Sequence, residues 1–294
     1  MNTYLSTTFD RRRRPATSTM RELRHHGVTA VELGSTHEPE SGLEQALRTE
    51  FADFSLLTHN FFPPPADPSI VINLSDPRQD LRAASVQLAI ANVKFAARIG
   101  SRLHTVHPGF LATAAPHIGP DRNYDFQFDT ASASAPEVAF RWTLDGLAAV
   151  GREAARAGIT VAVETQGSIE QRDMCLFQTP REMAEFRTAV TSLPMGVSVN
   201  LGHLPLAAAA WGFDPVRFID DVAGQIVAFE LSHNDGRRDL HLPLQADGWY
   251  WDVIEDARFS AVPMILELRD VDTIDACRHY QILVDRRARA GADA

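Results

Sequence analysis

Residues 136–164 read PEVAFRWTLDGLAAVGREAARAGITVAVE. Pro136 suits the first turn of a helix, where its missing N–H deprives no carbonyl of a partner. Apolar residues then recur at three-to-four spacing as far as Ala157, and Gly158 stands where a helix end favours a left-handed residue. Immediately after it, Thr160–Val163 is an apolar, β-branched run that ends on Glu164. The run is too short for a helix and has the composition of a buried strand. A helix running directly into such a strand is half of a βαβ unit.

Working outward, the same alternation recurs along the whole chain. The candidate strands are Tyr4–Thr8, Ala30–Leu33, Ser55–Thr58, Leu103–Val106, Thr160–Val163, Gly196–Val199, Ile226–Leu231 and Met264–Leu266. Helical stretches between or after them include Ala84–Ile99, Pro136–Ala157, Pro180–Val190 and Thr273–Arg287. Eight βα units in 294 residues predict a single-domain α/β protein, a (β/α)8 TIM barrel over residues 1–294 with 288–294 as a frayed tail. A doubly wound open sheet competes, but no GxGxxG or GxxxxGK[ST] follows any strand. Two longer irregular stretches, His59 to Asp80 and Pro108 to Ala135, follow strands and are expected to roof the C-terminal face, where barrel active sites lie.

The composition narrows the setting. Hydrophobic residues make up 45% of the chain, enough for a sizeable core, while no segment approaches the roughly 18 uncharged apolar residues of a membrane span. The start, MNTYLSTTFDRRRRP, has no apolar signal region, so a soluble, cytoplasmic protein is expected. Cys175 and Cys277 lie far apart without a CxxC, which indicates neither a disulfide framework nor a thiolate zinc site. A formal net charge of −10 argues against a nucleic-acid partner.

Metal-capable residues stand at or just beyond most strand ends: Glu32, His59, His107, Glu164, Asn200, His203, His233, Asp239, His241 and Glu267. A barrel gathers its strand ends at one mouth, so residues remote in sequence become neighbours there. Imidazole and carboxylate together suit Zn or Mn first, then Co, Fe or Mg, and the lack of thiolate favours a catalytic over a structural site. A lone loop histidine is more often a cap than a ligand. VAVETQ and MILELR are harder to set aside, because each places a carboxylate directly after a run that must be buried, and an isolated buried carboxylate is costly.

These residues carry a resemblance. The segments THNFFPPP, VINLSDP, VHPGFL, VAVETQ, NLGHL, SHND, DLHLP and LELR, in this order, resemble the xylose-isomerase-like barrel superfamily of sugar isomerases, epimerases and apurinic-site endonucleases. The resemblance spans nearly the whole chain. In the endonuclease branch nine residues hold three zinc ions, and it implies that role for His59, His107, Glu164, Asn200, His203, His233, Asp239, His241 and Glu267. In the epimerase branch one ion is held at positions matching Glu164, Asn200, His233 and Glu267. Asn200 departs from both, which place Asp there.

Three functions are consistent with this pattern. The leading expectation is a divalent-metal-dependent isomerase or epimerase of a small sugar-like substrate, with Glu164 and Glu267 exchanging a proton through an enediolate. In it His203 steadies a substrate oxygen and Trp249 or Trp251 forms an apolar wall. The alternative is a phosphoesterase or endonuclease-like hydrolase with two or three ions, favoured by the extra ligands His59, His107, Asp239 and His241. Arg11–Arg14 are then candidates for a phosphate contact, against the plainer reading of a solvated helix start. The third is a non-catalytic metabolite binder. A homo-oligomer is compatible with all three.

Overall fold

The computed structural model describes residues 2–10, 12–65, 67, 69–118 and 124–292. Ten strands follow in chain order: β1 Thr3–Ser6, β2 Ala30–Leu33, β3 Ser55–His59, β4 Leu103–Val106, β5 Thr113–Ile118, β6 Tyr124–Asp129, β7 Thr160–Glu164, β8 Met195–Asn200, β9 Ile226–Leu231 and β10 Met264–Leu266. The helices are α1 Ala16–His25, α2 Leu43–Thr49, α3 Gln79–Arg98, α4 Pro136–Ala157, α5 Pro180–Ala189, α6 His203–Trp211, α7 Pro215–Val222, α8 Trp251–Ile254 and α9 Thr273–Ala292. All strands except β5 and β6 pair in parallel and close in the order β1-β10-β9-β8-β7-β4-β3-β2, the predicted (β/α)8 barrel. Among the described residues no helix is long and apolar enough to cross a membrane.

The pleat explains what lies inside. Tyr4, Leu57, Leu103, Ala162, Ala228 and Ile265 form a small apolar cluster separate from the large one between barrel and helices. Side chains alternate along a strand, so these six face the lumen and the residues two positions further along face it too. Those residues are Ser6, His59, Thr105, Glu164, Glu230 and Glu267. Register adds Glu32 opposite Ser6 and Asn200 opposite Glu230. One step above an apolar floor, the barrel therefore carries a buried polar ring.

The structure departs from the sequence reading at both ends and in one loop. β1 stops at Ser6 because Thr7 turns its hydroxyl to Gly34 N–H and His37, starting a 3-10 turn over Thr7–Phe9. The expected tail from 288 continues α9 to Ala292, anchored by buried Arg287, which donates to the carbonyls of Asn2 and Ser260 at 2.8 and 2.9 Å. Residues 293–294 lie outside the described residues. The stretch 108–135 is not wholly irregular, for β5 and β6 pair antiparallel within it. Phe126 and Phe128, two apart, seat one face of that hairpin on Phe110 with centroids 4.8 and 5.1 Å away.

Of the basic run after β1, Arg11 lies outside the described residues. Arg12 and Arg14 are drawn to buried Asp10, with Nε donating at 2.8 and 2.6 Å, and both also pair with Glu22. Thr19 donates to the same carboxylate at 2.9 Å. Burial alone would raise the Asp10 pKa, but these donors hold it at about 2, below the ordinary 3.8. Asp10→Asn is expected to cost about 2 kcal/mol at neutral pH, the usual scale for hydrogen bonds to a charged group. The depressed pKa sets the sign: the wild-type advantage is complete above the ordinary carboxylate range and is lost as pH falls toward about 2. Urea titrations of both proteins at neutral and acid pH check this, and a gap that does not close in acid would contradict it.

Candidate metal centre

Strand ends bring two groups of side chains together. In the first, His59 Nε2 lies 3.2 Å from Glu164 Oε2, His107 Nε2 lies 2.7 Å from the same oxygen, and the two imidazole nitrogens are 3.3 Å apart. In the second, Asp239 Oδ2 lies 3.3 Å from His203 Nε2 and 2.8 Å from His241 Nε2. Each group offers three nitrogen or oxygen atoms within one ion's reach. Glu164 links the two, its Oε1 lying 3.2 Å from His203 Nδ1, and Glu267 Oε2 flanks the second at 3.0 Å from His241 Nδ1.

Backbone and neighbouring amides hold these residues in place. His203 Nδ1 is 3.0 Å from the Thr165 carbonyl and donates to it, leaving Nε2, the nitrogen facing Asp239, as the one free to ligate an ion. Asn60 Oδ1 accepts from His107 N–H at 3.3 Å. Gly109 follows at φ +113°, where a Cβ would come within 2.5 Å of Asn73 Oδ1 and 2.9 Å of Leu74 N, so HPG needs its glycine. Asn234 shapes the loop that presents Asp239 and His241, accepting from the N–H groups of Leu240 and His241 and donating to the Gly202 carbonyl.

The donor set fits divalent ions. Burial opposes charge on Glu164 and Asp239, yet their histidine neighbours hold both well below the usual carboxylate range. Burial would likewise lower His59, but Glu164 and Glu32 raise it to about 9. A proton on His59 thus stands where metal charge would serve. Among the described residues, both oxygens of wholly buried Glu32, and His59 Nδ1, find no hydrogen-bond partner. Burial and the charge of Glu267, moderated by His59, bring Glu32 to about 7. Burial, then Glu164, Glu32 and Glu267, push Glu230 well above its ordinary value. Burial opposes, but His241 and Arg269 hold Glu267 at about 2. So much buried carboxylate is costly without cations.

Four further sequence-predicted residues lie outside the two three-residue groups. His233 enters neither group: its backbone pairs with Leu242 and its ring meets Tyr250 edge-on at 6.1 Å. The carboxylate that β9 carries inward is Glu230, three residues earlier, which lies 4.0 Å from His59. Asn200 faces the ring as expected but with its NH2 forward: Oδ1 accepts from Gly202 and His203 N–H at 3.0 and 3.1 Å, and Nδ2 donates to Glu164 at 3.0 Å and Glu230 at 3.4 Å. Turning the amide over would orphan two buried N–H groups, at about 1–3 kcal/mol each, and set an oxygen against two carboxylates. Trp251 is buried, donates to the Gln245 carbonyl at 2.7 Å and lies 3.8 Å under the Arg286 guanidinium, so no open face remains for a sugar. Trp249, half-buried, packs beside Tyr250 at 6.3 Å. Glu230 was within reach of sequence reasoning, since counting by two from Ala228 arrives at it; Asn60 and Asn234 carry no comparable signal.

No curated relative matches the chain. Among solved structures, a D-tagatose 3-epimerase-like protein is similar at TM-score 0.73 and 17% identity, over 100% of this chain and 99% of its own. The 3-keto-D-glucoside 4-epimerase of E. coli, at TM-score 0.66 and 10% identity, is covered over 98% and 99% of the two chains. Endonuclease IV from Thermus thermophilus has TM-score 0.63 and 16% identity over 97% and 99%. At such identities the likeness concerns the fold. The profile of one family matches residues 20–282, nine-tenths of the chain, and the closed barrel agrees with it. This chain belongs to the xylose isomerase-like TIM barrel family.

Proposed function

We propose that the protein is a divalent-metal-dependent hydrolase of a small phosphate ester, sugar-like in its alcohol part. The observation that carries this reading is the convergence of His59, His107, Asp239 and His241, which a one-ion proton-transfer site does not need, into two three-residue groups with Glu164 and His203. Those six side chains would hold the ions, zinc or manganese by their nitrogen and oxygen donors. When bound, the ions supply an activated water and neutralise charge developing on phosphate oxygens.

The chain's own residues complete the task. Thr165 fixes the His203 tautomer, and Glu267 places a carboxylate oxygen 3.0 Å from the opposite nitrogen of His241. Arg269, partly exposed and 3.9 Å from Asp239, offers a guanidinium at the rim for an anionic substrate group. The buried ring excludes bulk water, which strengthens each of these interactions.

A second reading, epimerisation, draws on Glu164 and Glu267 both facing the lumen and on the epimerases among the structural neighbours. Against it stand the Asn200 amide, which offers hydrogens rather than a lone pair, and His233 outside the cluster. Incubation with sugar phosphates and ketoses in deuterated water, with zinc or manganese, separates the two. We expect phosphate release without deuterium at any substrate carbon, and a loss of about 10²–10³-fold in His107→Ala. Carbon-bound deuterium without phosphate release would instead establish the epimerase.

A further inference from the structure

We infer that Asn200 closes the middle of this centre, so that the chain holds two divalent ions, one in each three-residue group, and has no place for a third between them. The inference rests on the metal-dependent reading above and adds the ion count and the residue that sets it.

The argument starts from what an amide offers. Its oxygen has two lone pairs, its nitrogen two hydrogens and no free pair. At Asn200, wholly buried, both lone pairs are taken by the N–H groups of Gly202 and His203, which open α6 and have no intrahelical acceptor. Both hydrogens point at carboxylates, Oε1 of Glu164 and Oε2 of Glu230. The backbone cannot easily relax, since Asn200 N–H donates to Thr165 Oγ1 at 2.9 Å and β8 pairs with β9 at Glu230.

The outer atoms of this clamp are also assigned. Glu164 Oε2 serves His59 and His107, while Glu230 Oε1 accepts from Ser198 Oγ at 3.0 Å. Glu230 Oε2 has only His59 beyond Asn200, at 4.0 Å. The space between Glu164 and Glu230 is thus filled by N–H donors, which do there what a cation would do. Exchanging that NH2 for oxygen keeps the caps on α6 and sets a third carboxylate oxygen about 3.0 and 3.4 Å from the two already present. Like charges at that separation are relieved by a cation or by a shared proton, and an excess of zinc favours the cation.

The test is the zinc content of the purified full-length chain after equilibration with zinc and removal of excess, measured by mass spectrometry for wild type, Asn200→Asp and Glu230→Gln. We expect two ions in the wild type, three in Asn200→Asp and two in Glu230→Gln. Three ions in the wild type, or two in folded Asn200→Asp, overturns the inference and leaves the metal-dependent reading intact. Should Asn200→Asp fail to fold, Glu230→Gln still decides: a count of one shows that Glu230 ligates and the inference falls. One ion in the wild type also overturns the inference, and a count of zero overturns the metal-dependent reading itself.

Discussion

Glu164→Gln is expected to lose one bound ion, melt about 5–10 °C lower in the presence of metal and retain roughly a thousandth of the hydrolytic activity. Glu164 ends β7, is almost wholly buried, and gives its two oxygens to four partners: His59 and His107 on one, Asn200 and His203 on the other. Glutamine keeps the shape and removes the only carboxylate of the His59–His107 group. An ion that binds only the folded state at a hundredfold excess over its Kd stabilises it by about 2.7 kcal/mol. At roughly 2–4 °C per kcal/mol for larger domains, that gives the stated melting shift. The activity loss follows if the ion lost is one that activates water. Calorimetry with and without a chelator, beside zinc analysis, checks it; a variant with wild-type zinc and melting would remove Glu164 from the ligand set.

Gly167→Ala is expected to cost about 3 kcal/mol and about 10²-fold in activity, although Gly167 supplies no ligand atom to either metal group. A Cβ there would overlap the His203 carbonyl oxygen and lie 2.7 Å from its carbon and 3.0 Å from its Cα. These are backbone atoms of the first residue of α6, so no flexible side chain can yield. Either the loop after β7 or the start of α6 must shift, which puts the cost at the upper end of overpacking. The shift also moves His203 against Thr165, whose carbonyl holds its ring, and a displacement of about 1 Å can cost about 10²-fold in rate. Gly158→Ala provides the contrast, because its φ is +68° but no atom lies within 4 Å of a Cβ. It should cost only about 1 kcal/mol and leave kcat unchanged. Wild-type stability and rate in Gly167→Ala would show that the loop is not seated on α6.

The two glycines illustrate how far a sequence speaks. That Gly158 ends a helix was legible, because a cap depends on a few consecutive residues, and α4 begins and ends where Pro136 and Ala157 predicted. The strands were legible for the same reason: apolar runs bounded by turns are local, and their number implied a closed barrel. Glu164 and Glu267 stood out because a carboxylate following a buried run is costly unless something holds it. The order of His59, His107, His203, Asp239 and His241 along the chain already suggested a common site.

Other features depend on contacts between residues far apart, which no local pattern contains. The hairpin of β5 and β6 needed Phe110 beneath Phe126 and Phe128 before its alternation had a face to bury. Glu230 rather than His233 meets the cluster because β9 turns Glu230 to the lumen and ends at Leu231, leaving His233 in the segment beyond it that pairs with Leu242. Trp251 was an available wall in the sequence and is covered by Arg286 in the fold. The sequence by itself determined the barrel, its polar mouth and the kinds of ligand there. Tertiary structure alone decided which way the Asn200 amide faces, because that follows from the free N–H groups at the start of α6 and from two carboxylates on neighbouring strands, brought together only when the barrel closes.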